Sequence, residues 1–286
     1  MTRKTGLVLE GGAYRGMFTC GILDVLMREG VTFDGMIGVS AGAAFGCNFK
    51  SRQIGRAIRY NTRLCGDWRY CSIRSLITTG DLYGGDFCYH YVPAHIDKFD
   101  IETYNNNPMP MWVVCMDVET GKPVYHRCDE AGDECFEWIR ASASMPMVSN
   151  VVEIDGLKML DGGMVDSIPL AKMEQLGFER NLVILTQPEG FVKQPNKLMP
   201  LVRWVMRKYP RVVEAMEKRH YGYNETLDYI HAQQAAGKVF AIYPDEKLDI
   251  GHVVKDPEKL REIYNLGVAK GEQLLPQIKA WLNIQE

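Results

Sequence analysis

Apolar residues along the chain fall alternately into short runs and helical repeats. The run Gly6-Leu7-Val8-Leu9 stops at Glu10-Gly11-Gly12 and reads as a buried strand entering a glycine loop. Over residues 17–28 the apolar positions Met17, Phe18, Ile22, Val25 and Leu26 recur at helical spacing, and Gly30 stands where a helix stop is expected. Residues 33–39 predict a second strand and 41–49 a helix of small residues. Two strands so close, joined by one helix, make a βαβ unit, which implies parallel pairing and a right-handed crossover. Further strands are expected at 111–116, 157–160, 182–185 and 239–243. Helices are expected at 136–143, 169–176 and 257–281, with Pro169 suited to a first helical position and Gly177 to a stop. Residues 65–110 read as irregular, with Asn105-Asn106-Asn107-Pro108 as a loop. Residues 197–236 are helical and more polar, as a cover over a site would be. No repeat or low-complexity segment interrupts the pattern. The simplest account is one α/β domain over residues 1–286 with a helical elaboration toward its C-terminus.

Composition narrows the function class. The 286 residues are 46% hydrophobic and 24% charged, which supplies a sizeable core. A formal net charge of −3 argues against a nucleic-acid partner, which calls for a basic excess. The eight cysteines include no C-x-x-C pair and no Cys/His cluster at zinc spacing, and no other metal or cofactor pattern is present. Met1 to Thr5 runs directly into the first strand with no signal-peptide h-region, and no apolar run is long enough to span a bilayer. The expectation is a soluble cytoplasmic chain with reduced thiols.

The candidate chemistry begins at Gly38-Val39-Ser40-Ala41-Gly42, a G-x-S-x-G sequence where a predicted strand meets a predicted helix. A serine at such a turn lifts its hydroxyl off the sheet edge. Gly38 and Gly42 keep Cβ atoms from colliding, and the helix N-terminus faces a developing anion. A glycine-rich turn with an incidental N-cap serine is the plain alternative. Gly11-Gly12-Ala13-Tyr14-Arg15-Gly16 follows the first strand but lacks both dinucleotide-loop spacing and a Walker lysine. Its better use is an oxyanion hole formed by the N–H groups of Gly11 and Gly12. Arg15 adds a cation that steadies the loop or meets a lipid phosphate. Asp161-Gly162-Gly163 follows another apolar run and places a carboxylate where it can reach a serine, although the same residues make a common turn.

These three motifs, in this order, resemble those of the patatin-like phospholipases. Arg140-Ala141-Ser142-Ala143-Ser144-Met145-Pro146 resembles the Ala-Ser-rich, Pro-ended segment that the family carries between serine and aspartate. The similarity covers roughly residues 6 to 190. It implies a three-layer α/β/α fold with a mainly parallel central sheet and a Ser–Asp dyad without histidine. Ser40 would attack a lipid acyl ester, Asp161 would take its proton, and Gly11, Gly12 and Arg15 would line the oxyanion site. Ala13-Tyr14 replaces residues that are small in many relatives, which leaves open whether Tyr14 narrows the acyl entrance. Asp155 and Asp166 lie close enough in sequence to compete with Asp161.

Two rivals remain. Gly251-His252 resembles the late histidine loop of an α/β-hydrolase, which would complete a Ser40–Asp161–His252 triad. Only two predicted strands precede the serine, so His252 is read as structural. A non-catalytic lipid-binding protein is the other rival. Finally, residues 197–219 hold seven basic and two acidic residues, interleaved with Leu201, Trp204 and Tyr209. That pattern suits either a flap resting on an anionic bilayer or a solvated helical cover, and Pro200 and Pro210 break any long helix.

Overall fold

The computed structural model describes residues 4–283. It is an α/β protein with a mixed, mostly parallel sheet and helices on both faces. The strands are β1 (Thr5–Leu9), β2 (Gly35–Val39), β3 (Met111–Asp117), β4 (Pro123–Arg127), β5 (Val152–Ile154), β6 (Leu157–Asp161), β7 (Arg180–Ile184) and β8 (Val239–Ile242). The helices are α1 (Gly16–Arg28), α2 (Ala41–Lys50), α3 (Arg56–Leu64), α4 (Ile73–Thr79), α5 (Ile101–Asn106), α6 (Asp133–Ser142), α7 (Leu170–Gln175), α8 (Met199–Val205), α9 (Pro210–Ala235) and α10 (Pro257–Leu282). Strand order is β5-β6-β3-β2-β1-β7-β8, with β4 also paired to β3.

Each central strand divides its side chains between two apolar layers, as period-two geometry requires. Leu7, Leu9, Met36, Val113, Leu182 and Ile184 pack with α1, α2 and α10, whereas Val8, Ile37, Val39, Val114 and Val183 pack with α7 and α9. Such strands read as continuous apolar runs because both faces are covered. β1 lies between β2 and β7, parallel to both, so the chain leaves β1 in one direction and later returns on its other side. A crevice at the carboxyl end of β1 follows from that reversal.

The edges of β3 set the rest. β2 pairs with Met111 to Val114, β6 with Cys115 to Asp117, and β4 overlaps both ranges from the opposite edge. β2 and β6 therefore run toward each other along one edge of β3, and their last residues meet there.

The expected elements are present with shifted ends. Residues 65–110, read as irregular, contain α4, a π-helix over Phe87–Ile96 and α5. Pro93 inside the π-helix and the short lengths of α4 and α5 removed the periodic signal. The edge strands β4 and β5 had no apolar run to mark them, being partly exposed. Pro200 and Pro210 each stand in the first turn of a helix, so residues 197–236 hold two helices, α8 and the 26-residue α9.

Candidate active site

Ser40 follows β2 directly and precedes α2, at φ 55 and ψ −125. That conformation is strained for a residue with a Cβ, and the close fit around it holds the strain. A Cβ on Gly42 would overlap the carbonyl oxygen of Leu9, and one on Gly38 would press on the backbone of Gly42 and Ala43. The Ser40 hydroxyl does not cap α2. It donates instead to Asp161 Oδ2 at 2.7 Å, and both residues are buried.

Asp161 ends β6 opposite Cys115, one residue beyond the Val39–Val114 pair that ends β2. Its other oxygen accepts the N–H of Gly163 at 2.7 Å, and its own N–H goes to the carbonyl of Ser144 at 2.8 Å. Burial pushes its carboxyl above the ordinary range, against the opposing pull of the Ser40 and Gly163 hydrogen bonds and of Arg219. The two neighbouring aspartates are elsewhere. Asp155 occupies the β5–β6 turn at positive φ, and Asp166 accepts from the Tyr125 hydroxyl at 2.8 Å, with burial pushing it up to about 6.

The glycine loop flanks the serine. Gly11 sits so close that an added Cβ would lie 2.9 Å from Cβ of Ser40, and among the described residues the N–H groups of Gly11 and Gly12 donate no hydrogen bond. Arg15 lines the same cleft. His252 stands at the exposed rim, where partial burial and the charges of Arg15 and Arg219 lower its pKa. Its carbonyl accepts from Tyr83, and its ring bonds to neither Ser40 nor Asp161.

Two cavities meet at Ser40. An inner one of about 100 Å³ is walled by Tyr14, Ala44, Phe45, Tyr89, Val92 and Ile139 among others. Tyr14 is thus part of an apolar wall, packed 5.8 Å from the Tyr83 ring. An outer cleft of about 700 Å³ holds Asp161, Arg15, Lys193, Arg219 and His252.

Several residues at the site carried no assignment from sequence. Ser142 accepts the N–H of Ser40 and donates to the carbonyl of Val114, which gives the Ala-Ser-rich segment a structural task. Glu10, buried at the end of β1, accepts from Tyr223 at 2.6 Å and from the N–H of Thr186. A carboxylate directly before two glycines was the available signal for Glu10. Arg219, counted with the surface charges of residues 197–219, turns inward and donates to the carbonyl of Gly163 at 2.6 Å. Nothing in the local pattern marked Lys193 or Tyr223. No group of three or more His, Cys, Asp or Glu residues poised to hold a metal occurs among the described residues.

Ser40 and Asp161 thus stand paired where the ends of β2 and β6 meet on β3. The family model described as Patatin-like phospholipase matches residues 7–173, more than half of the chain. The chain belongs to the patatin-like phospholipase family. A second model, Domain of unknown function (DUF6363), matches residues 209–283. Among curated proteins, an uncharacterized protein YjjU of Escherichia coli is 27% identical, over 96% of this chain and 78% of its own length. Lysophospholipase NTE1 of Coccidioides immitis is 24% identical over 99% of this chain, which spans only 18% of that protein. A solved structure, VipD from Legionella pneumophila, matches at 12% identity and a TM-score of 0.47, covering 97% of this chain and 67% of that one.

Proposed function

We propose that the protein hydrolyses acyl esters of lipids through a Ser40–Asp161 dyad and an acyl-enzyme, without a cofactor. The direct 2.7 Å hydrogen bond between the two side chains, at the mouth of an apolar cavity, carries this reading. Ser40 attacks the ester carbonyl as Asp161 takes its proton. The oxyanion forms against the N–H groups of Gly11 and Gly12, with the positive charge of Arg15 nearby. Asp161 then returns the proton to the leaving alcohol and activates the water that releases the fatty acid. Desolvation suits Asp161 to this work, since an ordinary aspartate is too weak a base near neutral pH. The lysophospholipase name borne by the fungal relative supports a lipid substrate.

The test is initial-rate hydrolysis of acyl esters of graded chain length by wild type and by the Ser40→Ala, Asp161→Asn and His252→Ala variants. Loss in the first two with retention in the third is expected. An inactive His252→Ala enzyme replaces the dyad with the triad. An inert wild type whose Ser40 resists fluorophosphonate labelling moves the lipid-binding reading forward.

The same reading treats residues 1–286 as one domain and places the chain in the cytoplasm, where eight free thiols are at home. No helix among the described residues is long and apolar enough to cross a membrane. Peripheral contact has a basis in α8. Met199 and Val202 face the core, while Leu201, Trp204 and Val205 are exposed beside Arg203, Arg207 and Lys208. We read this surface as resting on an anionic bilayer. Co-sedimentation with anionic and neutral vesicles tests it, and equal binding to both counts against an electrostatic contact.

A further inference from the structure

The outer cleft carries a charge pattern that acyl transfer alone does not use. Arg15, Lys193 and Arg219 line it, and none of them forms an ion pair among the described residues. Nε of Arg15 is buried without a hydrogen-bond partner. The two carboxylates in the cleft are already engaged, Glu10 with Tyr223 and Thr186, and Asp161 with Ser40 and Gly163. Burial, with the charges of Arg219 and Arg15 and against the opposing pull of Glu10, brings Lys193 down to about 8. Cations held together at such a cost gain when an anion enters between them.

The cluster is also built rather than incidental. Asn224 of α9 accepts the N–H of Lys193 at 2.8 Å and donates to its carbonyl at 3.1 Å. The Tyr223 ring lies 4.5 Å from the Lys193 ammonium, and Arg219 is fixed by the Gly163 carbonyl. Guanidinium forks and an ammonium converging on one cleft suit a phosphate better than a single carboxylate.

We propose that Arg15, Lys193 and Arg219 form a phosphate-binding subsite beside Ser40, which takes the phosphate of an anionic acyl ester. The inference rests on the acyl-hydrolase reading: with the acyl chain in the inner cavity, the alcohol arm of the ester must lie in the outer cleft. The shared ligand chemistry is a phosphate group, carried by a lipid or free.

Two measurements on the full chain test it. The first compares kcat/KM for a 1-acylglycerol 3-phosphate and the 1-acylglycerol of the same chain, both in neutral-detergent micelles. Wild type is expected to favour the phosphate ester about tenfold or more, and Lys193→Gln to cut that preference about tenfold, the scale of one charge-assisted hydrogen bond. Lys193→Arg restores it. The second is calorimetric titration of the Ser40→Ala protein, with and without Lys193→Gln, by inorganic phosphate and by glycerol 3-phosphate. Binding that weakens in the double variant supports the subsite, and without a lipid preference it assigns the site to free phosphate. No preference and no binding overturns the subsite, even where the acylglycerol is hydrolysed. Intact phosphate binding with neither ester cleaved overturns the hydrolase reading and leaves the subsite standing.

Discussion

The backbone N–H of Ser40 is held by the side chain of Ser142 at 2.8 Å, although 102 residues separate them. The same hydroxyl donates to the carbonyl of Val114 at 2.6 Å, so one buried oxygen ties the serine turn to the middle of β3. Replacing Ser142 by Ala strands a donor and an acceptor in a dry interior. A loss of about 1–3 kcal/mol in stability is expected. In kinetics, kcat should fall while KM changes little, because the displaced group is the proposed nucleophile. Thermal melting and steady-state rates check both, and an unchanged kcat would show that Ser40 keeps its geometry without this tie.

Asp161 gives opposite signs for activity and stability. Burial raises its folded pKa above the unfolded value, so the stability it contributes is fully present below the unfolded pKa and is lost as pH rises through the folded one. Asp166, raised to about 6, acts in the same direction. At neutral pH Asp161→Asn should therefore melt higher than wild type while losing nearly all hydrolysis. The acid limb of kcat/KM on an uncharged ester should lie above the ordinary aspartate value of about 3.9. A limb at that ordinary value would deny Asp161 the role of a desolvated base.

Arg219 reaches the Asp161-Gly162-Gly163 turn from α9. Arg219→Ala removes that hydrogen bond and loosens the carboxylate against Ser40. On an uncharged ester kcat should drop by about tenfold or more, the effect of a small misplacement at a reacting pair. Arg219→Lys should recover part of the charge effect but not the planar geometry. A drop confined to KM would place Arg219 in substrate binding alone.

Ala44, on the helix α2 that follows Ser40, lies in the wall of the inner cavity. Ala44→Leu fills space that the acyl chain would occupy. The preferred ester should shift to shorter chains, with short-chain rates largely kept. An unchanged chain-length profile would locate the acyl chain outside this cavity.

Most of the candidate site could be read from the chain because its glycines leave local marks. Gly38 and Gly42 bracket Ser40 within five residues, and Gly162-Gly163 follow Asp161, so each half of the pair advertises its own turn. The parallel core was equally legible, since β1, β2 and β7 each end in an apolar run and α1 supplies clear helical spacing. What stayed hidden depends on distance in sequence. Tyr223 meets Glu10 across 213 residues, and Arg219 meets Gly163 across 56. On a helix rich in charge, an inward arginine reads the same as an outward one. The π-helix at Phe87–Ile96, with its proline, has neither of the two periods that mark regular structure.

The reach of α9 into the cleft bears on how the protein can be divided. The stretch matching the patatin-like family ends at residue 173, before β7. A segment cut there keeps Ser40 and Asp161, yet it lacks the Ile184 carbonyl that holds the N–H of Glu10, and it lacks Arg219 and Tyr223. It also bares the face of Val8, Ile37 and Val39 that α9 helps to cover. Grafting residues 7–173 onto another scaffold would move Ser40 and Asp161 without the part of the wall that α9 supplies.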